Sequence, residues 1–302
     1  MKKIISMLLA LAAAAAAFTG CSENAGNGTS GSSMEAASFD TANEITVISR
    51  ENGSGTRGAF IELFGVEEKD ADGNKVDKTT KGAEIASKTD VVLTSVASNP
   101  YAIGYVSLGS LNNTVKALKI DGVEATTENV KNGSYGVARP FNIATKGEPA
   151  GLVKDFINFI LSKEGQEIVS GSYIAVNESA ESFTSEMPGG KITIGGSSSV
   201  TPIMEKLIEA YKKINTGAEI ELNQTDSTSG MTNAIDGSID IGMASRELTD
   251  SEKAELTPVQ IAIDGIAVVV NPENTTDNLT KDQVKAIYVG GAATWADAVK
   301  VE

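Results

Sequence analysis

An α/β fold built from two blocks is predicted for this 302-residue chain. From Glu44 onward, short β-type runs alternate with helix-period runs, the pattern of largely parallel sheets flanked by helices. The stretch from Ser170 to Gly190, rich in Ser and Glu and closing with Pro188-Gly189-Gly190, interrupts that pattern and divides the body in two. A composition of 41% hydrophobic and 22% charged residues supplies enough apolar surface for one two-lobed body or two modest domains.

The expected strands are Glu44–Ser49, Val91–Thr94, Ala102–Val106, Val115–Ile120, Phe141–Thr145, Lys191–Gly195, Glu219–Asn223, Ile239–Ala244 and Gln260–Val270. Two helices are clearest. Leu152, Val153, Phe156, Ile157, Ile160 and Leu161 fall on one helical face, as do Val200, Ile203, Met204, Leu207, Ile208 and Tyr211. Both stripes predict core packing.

The first 21 residues predict an export leader. Met1-Lys2-Lys3 is a basic start, Ile4 to Phe18 is apolar and alanine-rich, and Thr19-Gly20-Cys21 follows directly. Cys21 is the only cysteine, so no internal disulfide explains it. Small residues before a cysteine at the end of such a stretch resemble the bacterial lipoprotein cleavage site, where the cysteine is acylated; Phe18 stands where leucine is usual. Residues 22–43 carry almost nothing large and are expected to form a flexible linker.

Asp and Glu outnumber Lys and Arg 40 to 25, for a net charge of −15, which argues against nucleic acid as a partner. Binding of a small anion is a separate matter, because local dipoles and a few close donors dominate a screened surface charge. The chain has no histidine, which removes Ser-His-Asp triads and most zinc sites; no cofactor and no metal is expected.

Three segments share one design: a strand ends, small hydroxyl residues and glycines follow, and a helix begins. They are Ile48 to Thr56 (ISRENGSGT), Gly195 to Val200 (GGSSSV) and Thr225 to Gly230 (TDSTSG). A helix start offers unpaired N–H groups and partial positive charge, hydroxyls add donors, and glycine lets the backbone approach closely. Each is a plausible oxoanion cradle, and the first adds Arg50, suited to a bidentate charge-assisted contact. None matches the P-loop pattern G-x-x-x-x-G-K-[ST].

Taken together, Arg50 to Arg57, Gly195 to Pro202, Ser227 to Gly230 and Asp240 to Arg246 closely resemble the phosphate-binding proteins of phosphate-specific ABC transporters. Further matches are Ala102 to Val106, Arg139 to Asn142, Asp264 to Val268 and Thr294-Trp295, so the likeness spans about residues 44 to 302. The resemblance implies a type II periplasmic-binding-protein clamshell that closes on one dehydrated phosphate. It also implies that Arg50, Ser54, Gly55 and Thr56 hold the anion from one lobe, and Ser199, Val200, Ser229 and Ser245 from the other. In several relatives an aspartate at the place of Ser245 accepts the phosphate proton; Ser245 accepts more weakly, and Asp226 is a possible stand-in that serves equally well as a helix cap. Asn52 stands where an aspartate often restrains the arginine, which predicts a freer Arg50.

Segment order departs from the family. Usually the Gly-Ser-Ser-Ser-Val segment opens the mature protein and the arginine segment follows Thr-Trp; here Arg50 opens the body and Trp295 nearly closes it. The chain therefore reads as circularly permuted, with a fragment of two tandem copies as the alternative. On this reading 44–141 and 269–302 form one lobe and 142–268 the other, with crossing strands near 139–145 and 266–271. The function expected is that of an exported, lipid-anchored receptor on the extracytoplasmic face that captures inorganic phosphate for an ABC transporter permease. A same-fold receptor for sulfate or molybdate is the second reading and a secreted hydrolase a distant third. No oligomer signal is visible, so a monomer is expected.

Overall fold

The structure, a computed structural model, describes residues 39–71 and 74–301. The leader, Cys21 and the linker up to residue 38 lie outside the described residues. The packed body begins inside the stretch expected to be linker. Phe39 stacks on Tyr101 at 5.2 Å between ring centroids and meets Trp295 edge-on at 5.9 Å.

Among the described residues, ten strands join into one mixed sheet whose pivot is the long strand Thr257–Val270. Up to Gly265 it pairs antiparallel with Ala138–Thr145; from Ile266 it pairs antiparallel with Ala102–Ser107. One continuous strand thus serves two lobes. On one side, Thr46–Arg50 continues the sheet parallel to Ala102–Ser107 and to Glu84–Ala86. On the other, Ile241–Ala244 joins Ala138–Thr145 antiparallel, and Gly190–Ser197 lies parallel between Ile241–Ala244 and Ala218–Thr225.

The pivot reads as a near-continuous apolar run because helices cover both faces there. Ile266, Ala267, Val268, Val269 and Val270 are each fully buried. They divide between faces with period two: Ile266, Val268 and Val270 join Phe60, Tyr105, Tyr288 and Trp295, while Ala267 and Val269 join Ile48, Val92 and Val96. The second lobe has its own core, in which Phe156, Phe159 and Ile160 of helix Gly151–Leu161 meet Met204, Leu207 and Tyr211 of helix Thr201–Ile214. Both helical stripes read from the sequence therefore pack as expected.

One expected strand is a helix. Val91–Thr94 lies inside helix Thr89–Ser98. Val92, Leu93 and Val96 are buried while Val91 is exposed, which is helical spacing, and the packing of this one face outweighs the β-branched bias of Val91-Val92. The Ser170–Gly190 stretch holds only the two-residue strand Ile174–Ala175, which pairs with the pivot strand at Ala262 and Ile263. It is pinned elsewhere by Asp155, whose carboxylate accepts from the Ser185 hydroxyl (2.7 Å) and the Glu186 N–H (3.2 Å).

Two glycines bring a helix start against a strand end. Gly196 has φ +136°, and a Cβ there would lie 2.3 Å from the Met243 carbonyl oxygen. A Cβ on Gly230 would lie 2.7 Å from the Gly196 Cα. Gly196→Ala should therefore destabilise the fold by about 3 kcal/mol, through backbone overlap and a disfavoured φ together, read as a lowered urea midpoint with unchanged slope.

Candidate functional site

The carboxyl ends of four strands converge. Thr46–Arg50 comes from one lobe; Gly190–Ser197, Ala218–Thr225 and Ile241–Ala244 come from the other. In open α/β sheets this is where ligands bind, since strand-to-helix turns there expose helix starts and small side chains.

From the first lobe, strand Thr46–Arg50 ends in Arg50, only 1% exposed. Its position is fixed from several sides. The Tyr105 hydroxyl accepts from the Arg50 N–H at 3.1 Å, and Arg57 Nη1 donates to the Arg50 carbonyl at 2.5 Å. Glu51 grips the guanidinium with both oxygens, 2.8 Å from Nε and 2.7 Å from Nη2. The expectation of a freer arginine is thus corrected: Asn52 does not pair with it, but the preceding residue supplies a bidentate carboxylate. Ser54 caps helix Gly55–Leu63 by accepting from the Arg57 N–H at 3.3 Å, which leaves its own proton available to donate. Thr89, at the start of helix Thr89–Ser98, adds a buried hydroxyl 3.4 Å from Arg50 Nη1.

From the second lobe come Ser197, Ser198 and Ser199, all buried, then Ser227 and Ser245. The Ser197 hydroxyl donates to Ser245 Oγ at 2.9 Å, and the Ser245 N–H donates to Ser227 Oγ at 3.1 Å. The lobes meet through these groups. Arg50 Nη2 donates to Ser198 Oγ at 3.0 Å, the Thr56 and Ser199 hydroxyls lie 2.9 Å apart, and the Thr228 N–H donates to the Gly53 carbonyl at 3.2 Å. Gly55 faces the same cluster so closely that a Cβ there would lie 2.4 Å from Ser227 Oγ and 2.8 Å from Ser245 Oγ.

Of the residues expected at the site, Arg50, Gly55, Thr56, Ser199 and Ser245 come together, and Ser54 is buried beside them as a helix cap. Ser229 does not face the cluster. Its N–H and hydroxyl both donate to Asp226, at 2.9 and 2.6 Å, completing the cap of helix Ser227–Asp236, and Ser227 takes the pocket position instead. Val200 sends its side chain into the second lobe's core and its N–H to the Ser197 carbonyl at 3.1 Å. Asp226 caps its helix through both carboxylate oxygens, as the sequence allowed. Sequence reasoning missed Thr89, because its helix was read as a strand, and Ser227, although a helix-capping Asp in the preceding position marks it as the first residue of its helix.

A second buried arginine stands behind the hydroxyl cluster. Arg139 Nη1 donates to Ser245 Oγ at 3.4 Å, and its Nη2 and Nε both reach Asp264 Oδ2, at 3.1 and 3.4 Å. These two side chains are 2% and 1% exposed. Burial pushes the Asp264 carboxyl up to about 6 while Arg139 pulls the other way. The arrangement offers a desolvated cluster of hydroxyls at two helix starts with two guanidinium groups beside it, which is chemistry for holding a tetrahedral oxyanion. Among the described residues, no group of three or more His, Cys, Asp or Glu is placed to hold a metal ion.

Comparison with known proteins agrees with this geometry. A family model described as a PBP superfamily domain matches residues 29–164 and 181–301. The phosphate-binding protein PstS 2 of Streptococcus agalactiae serotype V is 52% identical over 258 residues, covering 85% of this chain and 88% of that protein. This chain belongs to the PstS phosphate-binding-protein family. Another family member, PstS 2 of Streptococcus pneumoniae serotype 4, is 45% identical over 271 residues, 89% of this chain and 92% of its own. The crystal structure of a phosphate ABC transporter phosphate-binding protein from S. pneumoniae TIGR4 superposes with a TM-score of 0.69 at 45% identity, covering 86% of this chain and all of that one. The two-lobed periplasmic-binding-protein fold is thus the family's own.

Glu51→Ala leaves the Arg50 guanidinium buried without a carboxylate and should lower stability by about 2 kcal/mol, a value below that of a fully buried pair because the Glu51 side chain is 23% exposed. Chemical denaturation reads the loss, and the added change Arg50→Met should restore most of it.

Proposed function

We propose that this protein captures inorganic phosphate between its two lobes and delivers it to the permease of an ABC importer. The observation that carries the reading is the meeting of Arg50, Gly55 and Thr56 from one lobe with Ser198, Ser199, Ser227 and Ser245 from the other, in a chain whose relatives are phosphate-binding proteins. Capture involves no covalent step. The anion bridges the lobes and favours the closed arrangement, and the permease recognises that closed form. On this reading the protein is a receptor and not an enzyme, and it works as a monomer.

The same reading assigns residues 1–21 to a lipoprotein signal with Cys21 acylated, and the following segment to a tether that holds the body at the extracytoplasmic face. No helix among the described residues is long and apolar enough to cross a membrane. It also assigns 44–141 and 269–302 to one lobe and 142–268 to the other, in circularly permuted order. Two features support that division: the pivot strand changes partner between Gly265 and Ile266, and the streptococcal relatives align over 88% and 92% of their own lengths, so the same segments recur in chains of similar extent. One complete clamshell fits this better than a piece of two tandem copies.

Arg50→Ala removes the charge-assisted donor nearest the hydroxyl cluster and should weaken phosphate binding by about 2–4 kcal/mol in titration calorimetry. Unchanged affinity would remove Arg50 from the site. Cys21→Ser should release the protein from the membrane fraction into the medium on cell fractionation; retention would exclude the lipid anchor.

A further inference from the structure

Two buried arginines flank the hydroxyl cluster, and their counter-ions differ. Glu51 takes Arg50 in a bidentate grip at 2.7 and 2.8 Å. Asp264 holds Arg139 through one oxygen only, at 3.1 and 3.4 Å, and this leaves Arg139 Nη1 directed at Ser245 Oγ. The Arg139–Asp264 pair also sits at a mechanical junction. The two residues face each other in register on the strands that cross between the lobes, one residue before the pivot strand begins to change partner.

Asp264 is poorly compensated for a buried carboxylate. Besides Arg139 on the neighbouring strand, only long contacts offset its charge: the Gly109 N–H at 3.5 Å and the nearby Ser107 hydroxyl, which lowers its pKa but lies outside standard hydrogen-bond geometry. Arg139 in turn faces Asp264, the Ser245 hydroxyl, the Phe141 ring at 5.4 Å and, farther off, Tyr173 and Arg50. Among the described residues, no other carboxylate pairs with Arg139. Glu51 is bound to Arg50 and Asp226 to Ser229.

We propose that Asp264 is an internal counter-anion that competes with the captured oxyanion for Arg139, so that its ionisation sets how tightly the pocket holds its ligand. This rests on the anion-capture reading and adds to it a second, remote control of affinity. With Asp264 ionised, the field of Arg139 at Ser245 is largely cancelled. With Asp264 protonated, Arg139 is a free cation behind the pocket and the ligand becomes its partner. Burial already brings this carboxyl to about 6, so the change falls in a pH range the exported protein can meet. Anion binding tightens as Asp264 gains its proton, and by linkage a bound anion raises the pKa of Asp264 by the equivalent amount.

The test is titration calorimetry with inorganic phosphate on the wild type and Asp264→Asn from about pH 5 to about pH 7.5, taken as a ratio so that the ionisation of phosphate itself cancels. Equal affinities near pH 5 and roughly tenfold tighter binding by the variant near pH 7.5 are expected, the size of one charge removed across a partly screened interior. A ratio that stays constant with pH, or a variant that binds more weakly near pH 7.5, overturns the inference. Should the variant fail to fold, carboxyl carbon-13 titration of the wild type decides: the aspartate titrating near 6 moves up by about one unit on adding phosphate, and no movement overturns the inference. A wild type that binds no phosphate at any pH overturns the capture reading itself, whereas binding with a constant ratio overturns this inference alone.

Discussion

The burial of Arg50 is the constraint on which the rest of the structure depends. A guanidinium taken out of water must have its donors met and its charge balanced, or the fold loses several kcal/mol. Glu51 balances the charge, and Thr89 and Ser198 meet the donors. Ser198 belongs to the other lobe, so satisfying Arg50 also joins the lobes. Tyr105 then couples the arrangement to the core, since its hydroxyl accepts from the Arg50 N–H while its ring stacks on Phe60 at 3.9 Å.

The architecture that allows this is a change of partner along one strand. Because Thr257–Val270 serves the second lobe through Gly265 and the first from Ile266, the lobes share a covalent and hydrogen-bonded spine at their junction. The strand ends that carry Arg50, Ser197 and Ser245 meet beside this spine. On the proposed function, a ligand at those ends gains contacts from both lobes, which is how binding energy becomes a change of shape without any chemical step.

The site is economical in its use of helix starts. Ser54 and Asp226 cap their helices through side-chain oxygens, and the residues just inside, Gly55 and Ser227, are then free to face the pocket. That division explains why Ser229, a good match by motif, points at Asp226, and why Ser227 occupies the pocket. Capping is a local interaction and wins wherever a short polar side chain can reach its own helix start.

The sequence by itself determined the alternation of elements, the two core-facing helices, the three strand-turn-helix segments and Arg50 as the charged group among them, because period, capping chemistry and glycine placement are local properties. It also carried the family resemblance and the unusual order of its segments. Tertiary structure alone decided that Val91–Thr94 is helical, since packing of its buried face outweighed β-branched preference. It alone decided which carboxylate holds which arginine: Glu51 for Arg50 is a matter of side-chain direction at a strand end, and Asp264 for Arg139 joins residues 125 positions apart. Pairings of that kind depend on strand register across the whole sheet, and no local pattern in the chain encodes them.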